Sequence, residues 1–231
     1  LEGARQSPGS LRSAVGDEKW GPGSYQPEVL AGLEATVAVL ESLGHRVEVA
    51  RPDYDAQSLA RALFTIISTN TALACRQRAD ALQVSIDELP MEAQTRQTAE
   101  RGFSTSAPEY AAAIQANQAA GMALGRFHAD YDLILSPTLA SEPVPIGHLS
   151  ESPAAEYNDR QLGFMGDSGL YNQTGQPSIS LPLHWSDNGL PVGMMFSAAY
   201  GNDLLLLQLA SQLEEARPWR ERRPPLHAGA A

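Results

Sequence analysis

Two strand patterns of different kinds, one at each end of the chain, constrain its fold more than any other feature. Leu11 to Val15 reads as a short strand closed by Gly16. Pro27 suits a first helical turn, and Leu30, Leu33, Val37 and Leu40 then recur at spacings of three and four, one apolar helical face. Gly44 stops that helix, and Val47 and Val49 alternate with polar residues as a second strand. Strand, helix, strand in this order requires a parallel, right-handed crossover. Near the other end, Ser178–Leu183 and Val192–Ala198 read as strands joined through Asn188-Gly189, a hairpin signal. Pro182 lacks a ladder donor and marks an edge or a bulge. A chain holding both patterns is expected to be α/β, with helices packed around a mixed, mainly parallel sheet.

Between these ends, a second helix is expected from Asp55 or Ser58, carrying Leu59, Leu63, Ile66, Ile67 and Leu73 inward. Residues 83–102 are polar and weakly patterned, which reads as a flexible connection or a short helix. Ser106 with Glu109, and Pro108 between them, forms a capping box for an alanine-rich helix running to about His128. Leu133–Leu135 reads as a buried strand, 136–147 as a Pro-rich loop, and 158–171 as partly helical. Asp203 can cap a last helix through Leu204, Leu207 and Leu213. There is no internal repeat, and the reading is of one domain.

Composition narrows the function. With 231 residues and a net charge of −11, the chain lacks the clustered cations that a nucleic-acid surface needs. Arg217, Arg220, Arg222 and Arg223 sit beside prolines and read as a solvated tail. Cys75 is the single cysteine, so no internal disulfide forms, which suits a cytoplasmic location. No run reaches the ~20 apolar residues of a membrane span, and no charged leader is visible. His45, His128, His148, His184 and His227 show no paired helical spacing and read as surface or loop residues, so no metal is expected.

Tyr131-Asp132-Leu133-Ile134-Leu135-Ser136-Pro137-Thr138, then Asn172-Gln173-Thr174-Gly175-Gln176-Pro177-Ser178-Ile179-Ser180-Leu181-Pro182, then Gly189-Leu190-Pro191-Val192-Gly193 together resemble the C-terminal core of the amidase signature family. The resemblance runs from about Leu11 to Trp219 and looks closest to bacterial amidases of the 6-aminohexanoate-cyclic-dimer hydrolase type. It implies residues 11–219 as the C-terminal half of an amidase domain, 1–10 as a flexible lead-in and 220–231 as a tail. It further implies hydrolysis of carboxamide bonds through a serine, a cis-peptide-linked second serine and a lysine, forming an acyl-enzyme without a cofactor. The partners it implies are a small-molecule amide and the missing N-terminal half, in the same chain or a separate one; a homodimer stays open.

Those catalytic parts are not found. The chain holds no Gly/Ser-rich nucleophile loop, and its one lysine, Lys19, reads as an exposed loop charge. No residue is therefore assigned a catalytic role, and the chain alone is expected to be inactive. By the same resemblance Thr138, Asn172 and Thr174 orient substrate or brace the nucleophile loop; equally, they satisfy backbone groups in turns. Ser68, Thr69, Asn70 and Thr71 interrupt an apolar helix face, and Asn70 is carried as a further substrate contact, with a solvent-facing helix as the alternative. Two other functions remain in play, a non-catalytic partner or binding module and a serine hydrolase built on Ser168. Gly166-Asp167-Ser168-Gly169 copies a protease nucleophile motif, but no partner motif supports it. Gly21-Pro22-Gly23 with Glu48 mimics a dinucleotide fingerprint that has Gln26 where a third glycine belongs.

Overall fold

The computed structural model describes residues 3–16, 18–20, 23–153 and 156–224. Gly21, Pro22, His227, the first two residues of the lead-in and the last seven of the tail lie outside these. In chain order the elements are β1 Arg12–Val15, α1 Pro27–Ser42, β2 Arg46–Val49, α2 Ala56–Leu82, α3 Ala93–Ser104, α4 Ala107–Phe127 and β3 Leu133–Pro137. They continue as α5 Tyr157–Phe164, α6 Ser168–Thr174, β4 Ser178–Trp185, β5 Pro191–Ala198 and α7 Asp203–Ala216. The backbone divides into two compact units, Leu1–Pro52 with Leu124–Ala231, and Asp53–Ala123.

The larger unit holds one five-stranded sheet in the order β2-β1-β3-β5-β4. β1 pairs in parallel with β2 and β3, as the crossover requires; β5 runs antiparallel to β3 and β4. Four strands thus share one direction and β5 opposes them. The hairpin turns through Asn188-Gly189, and its ladder shifts register between Leu181 and His184, around Pro182. One sheet face carries Leu11, Val15, Leu133, Leu135, Leu183 and Phe196, covered by Leu33 and Leu40 of α1 and Leu209 and Leu213 of α7. Pro27 opens α1, and Gly44, at φ +86°, carries the chain out of it into β2. Residues 3–5 form a 3-10 turn whose Gly3 carbonyl accepts Gln208 Nε2 at 3.0 Å.

The Tyr131-Asp132 pair ties the amino ends of the strands. Arg12 N–H donates to Asp132 Oδ2 at 2.8 Å. Tyr131 stacks on Phe127 with ring centres 4.7 Å apart, and Arg12 lies 5.0 Å from the Tyr131 ring. His45 is in a loop as expected but is buried rather than on the surface. Its Nδ1 accepts Leu11 N–H at 3.1 Å, and its Nε2 meets Gln212 Oε1 at 2.9 Å. His184 is likewise half-buried on β4, with Nε2 2.9 Å from Glu28 Oε1. Arg222 is not simply solvated: its guanidinium lies 4.0 Å over the Trp185 ring.

The smaller unit is helical. Asp55 caps α2 by accepting Ser58 N–H at 2.9 Å. Its buried face is Leu59, Ala62, Ser68, Ala72 and Ala79, so Ile67 and Leu73, at 46% and 52% exposure, do not point inward as expected. The polar stretch 83–102 holds a 3-10 turn, Ile86–Glu88, and most of the twelve-residue α3. That helix packs by close approach: a Cβ on Gly102 would stand 2.0 Å from the Ser68 carbonyl oxygen. The Ser106–Glu109 capping box is formed, with Glu109 Oε2 2.8 Å from Ser106 N and 2.7 Å from Ser106 Oγ. In α7, which runs through Leu204, Leu207 and Leu213 as expected, Leu206, Leu209 and Leu213 are buried while Leu204 and Leu207 are exposed.

Gly102→Ala should cost about 1–3 kcal/mol, because the obstructing atom is backbone and cannot swing away. Gly125 has open space where a Cβ would stand, with nothing within 4 Å, and should instead gain about 0.5–1 kcal/mol as alanine. Urea unfolding followed by circular dichroism separates the two. His128 supplies a pH test. Burial lowers its pKa from the ordinary value, opposed by the hydrogen bond from Nδ1 to the Tyr131 carbonyl and by the Asp132 charge. The unfolded chain therefore takes up the proton first, so stability present above the ordinary histidine pKa is lost as pH falls below it. His128→Gln should flatten that part of the stability–pH curve, measured by thermal melts stepped down from neutral pH.

Candidate functional site

Ligands in open α/β sheets bind beyond the carboxyl ends of parallel strands. Here those ends are Val15-Gly16 on β1 and Pro137-Thr138 on β3, with the amino end of antiparallel β5 beside them. Thr138 N–H donates to Gly193 O at 2.9 Å, extending the β3–β5 ladder one residue past β3. A cleft of about 260 Å³ opens here, lined by Thr138, Ser141, Pro143, Ser180, Pro182 and Gly193 among others. Its floor is a hydroxyl pair. Thr138 Oγ1 and Ser180 Oγ lie 2.6 Å apart, although one follows the end of β3 and the other lies on β4, on opposite sides of β5. Gly193 makes this possible, because a Cβ there would sit 2.8 Å from Ser180 Oγ and 2.9 Å from Thr138 Oγ1.

The loop leaving Thr138 is held from two sides. Ala140 N–H donates to Phe164 O at 3.0 Å, and Ala140 O accepts Gln26 N–H at 2.9 Å. Gly166 lies against Thr138, where a Cβ would meet the Thr138 carbonyl oxygen at 2.4 Å. Next to it, buried Asp167 accepts Trp20 N–H with both oxygens at 3.2 Å and the Tyr25 hydroxyl at 2.6 Å. Lys19 belongs to this cluster and is not an exposed loop charge. Its Nζ donates to Leu162 O at 2.6 Å, and burial lowers its pKa, with the Asp167 carboxylate opposing that shift.

The residues carried forward from sequence sit in different settings. Thr138 lines the cleft. Asn172 and Thr174 share α6, where a turn was expected; the helix ends at Gly175, whose φ of +81° is the left-handed conformation glycine adopts readily. Asn172 is exposed, and Thr174 Oγ1 donates to Leu170 O at 2.7 Å within its own helix. Asn70 belongs to the helical unit and is exposed, its Nδ2 donating to Ile66 O at 2.9 Å. Ser168 is the first residue of α6, and the neighbouring carboxylate of its motif is the anchor of Trp20 and Tyr25. Ser180 and Gly193 escaped the sequence reading; alternation along β4 would have put Ser180 opposite Leu181 and Leu183, on the polar face. Among the described residues no cluster of three or more metal-ligating side chains exists, and no helix is long and apolar enough to cross a membrane.

The Amidase family profile matches residues 2–207. The chain is 31% identical over 235 residues to 6-aminohexanoate-cyclic-dimer hydrolase of Paenarthrobacter ureafaciens, covering 97% of this chain and 48% of that protein. Identity to the protein of the same name from Pseudomonas sp. strain NK87 is 30%, with the same coverage. A solved structure of 6-aminohexanoate cyclic dimer hydrolase superposes with a TM-score of 0.85 at 31% identity, over 97% of this chain and 48% of that one. A bacterial aryl acylamidase shares the fold at a TM-score of 0.77 and 20% identity, over 94% of this chain and 46% of that one. The chain thus spans about half the length of the relatives it matches, and it belongs to the amidase signature family.

Proposed function

We propose that this chain is the C-terminal part of an amidase that hydrolyses carboxamide C–N bonds. The observation that carries the reading is the family match over residues 2–207 in a chain whose one lysine is committed to a main-chain carbonyl and which has no Gly/Ser-rich loop. A serine outside this chain attacks the carboxamide carbon, its proton passing through a second, cis-peptide-linked serine to a lysine. The C–N bond breaks, the amine leaves with a proton, and water releases the acid from the acyl-enzyme. The role of this chain is to scaffold the sheet and to line the substrate pocket, in a reducing compartment such as the cytoplasm.

Within that reading the Thr138–Ser180 pair is the strongest substrate contact, because its hydroxyls line the cleft while Ser180 is held on β4 and Thr138 is tied to β5 through Gly193 O. Asn172 is exposed, its side chain makes no hydrogen bond among the described residues, and it can contact substrate or the nucleophile loop. Thr174 and Asn70 spend a donor on their own helices, which favours a structural role for both. Two of the relatives are named for hydrolysis of the cyclic dimer of 6-aminohexanoate, and a cyclic amide of that kind is the substrate class proposed for the joined enzyme.

The chain alone should hydrolyse no carboxamide and take no label from a serine-directed fluorophosphonate. Joined to the N-terminal half, it should restore turnover. Site-specific labelling of Ser168 in the isolated chain would overturn this and make the protein a different hydrolase. In the joined enzyme, Thr138→Ala or Ser180→Ala should lower kcat/KM by roughly tenfold or more, as expected for lost positioning hydrogen bonds. Ser168→Ala should stay within about twofold of the parent. Asp167→Ala should act on folding instead, costing on the order of 2 kcal/mol or more for the buried donors it strands.

A further inference from the structure

We propose that the helical unit carries a second binding site, for a small linear zwitterion bearing a carboxylate at one end and an ammonium at the other. A cleft of about 590 Å³, within the size range of small-molecule sites, opens between α2, α3 and α4. Arg61 and Arg101 line it from separate helices, and Glu109 lines it from a third. In a chain with 27 acidic and 16 basic residues, two guanidiniums from different helices meet in this one cleft. Arg61 donates to Ser58 Oγ at 3.1 Å and stands near the Asp55 carboxylate, which that serine also holds; among the described residues neither arginine forms a direct ion pair, so both guanidiniums keep donors for a ligand.

The other groups decide what kind of anion fits. Thr65 and Thr105 donate their hydroxyl hydrogens to the Arg61 and Arg101 carbonyls, so they offer lone pairs, not donors, to a ligand. A bound carboxylate must therefore draw its donors from the two guanidiniums, whose planar forks suit it. Glu109 rules against a ligand that is only an anion. Its Oε2 is held by Ser106, which keeps the carboxyl ionised with its pKa below the ordinary value, while Oε1 makes no hydrogen bond among the described residues. Glu109 Oε1 and the threonine lone pairs are acceptors suited to an ammonium. Ala62, Ala112, Ala113 and Ala116 line the cleft between them with methyl groups, a surface for a short methylene chain. Linear ω-amino acids combine these three parts. The site stands on the helical unit alone, so its failure would leave the hydrolytic reading intact.

The test is titration of the 231-residue chain, 15N-labelled, with 6-aminohexanoate, hexanoate and hexylamine. The amino acid should give saturable shifts confined to cleft residues and bind at least ~10-fold more tightly than either single-ended compound. Arg61→Gln with Arg101→Gln should weaken it by ~10-fold or more. Both arginines are exposed, so folding should survive, as far-UV circular dichroism would verify. Glu109→Gln keeps a capping residue and should erase most of the preference for 6-aminohexanoate over hexanoate. Equal binding of hexanoate, shifts elsewhere, no saturation, or indifference to the arginine pair would each overturn the proposal. So would shielding of the same amides by the added N-terminal half without ligand, which would make the cleft a seat for that polypeptide.

Discussion

The structure depends on β3 being hydrogen-bonded in two senses at once. All five of its residues are buried, with β1 parallel on one side and β5 antiparallel on the other. Leu133 and Leu135 enter the core beneath α1 and α7, while Ile134 and Ser136 face the opposite side. A slip of one residue would drive Ser136 into that core and expel both leucines, so the register is strongly determined. The change of sense also defines the cleft. The carboxyl end of a parallel strand lies beside the start of a hairpin strand, and the loop leaving Thr138 has to pass over that seam.

Asp167 does for the loops what β3 does for the sheet. Its carboxylate gathers the Trp20 amide and the Tyr25 hydroxyl, fixing the segment between β1 and α1 against the start of α6. Lys19 completes the same arrangement from the other side. The last carbonyls of a helix lack intrahelical partners and carry partial negative charge, and Leu162, in the final turn of α5, is one of them. An ammonium there satisfies an orphan acceptor near a carboxylate, which offsets the loss of water that depresses its pKa. A lysine in this position holds loops together.

Local signals in the sequence were legible where one residue determines one geometry. Pro27, Gly44, the Ser106–Glu109 box and the Asn188-Gly189 turn each act through their own backbone or a neighbour three residues away, and each is where the pattern put it. Helix faces were less legible. The run Leu204-Leu205-Leu206-Leu207 has no period, so only packing selects Leu206 over Leu204 and Leu207. The inward faces of α2 and α3 are built from Ser68, Ala72, Ala99 and Gly102, whose burial comes from close approach and leaves little hydrophobic signal. Asn172-Gln173-Thr174-Gly175 is made of turn formers, yet buried Leu170 and Tyr171 draw it into helix up to the glycine. At the candidate site, Thr138 could be found from its place at a strand end. Its partner could not, because Ser180 reaches it only through the register of a third strand.

That partnership bears on the chemistry. Two hydroxyls 2.6 Å apart share one hydrogen between them, which leaves a second hydrogen and several lone pairs to face the cleft. The pair can therefore donate and accept together, without net charge and without the desolvation cost of burying an ion. A carboxamide has the same character, with an N–H donor and a carbonyl acceptor on one planar group. An ionised ligand would gain little here, since the named lining residues beside the pair are proline, serine and glycine. The absence of a side chain at Gly193 is thus a chemical choice as well as a steric one. Alanine in its place would push the hydroxyls apart, and each would turn to water or to a main-chain carbonyl rather than present a joint donor and acceptor.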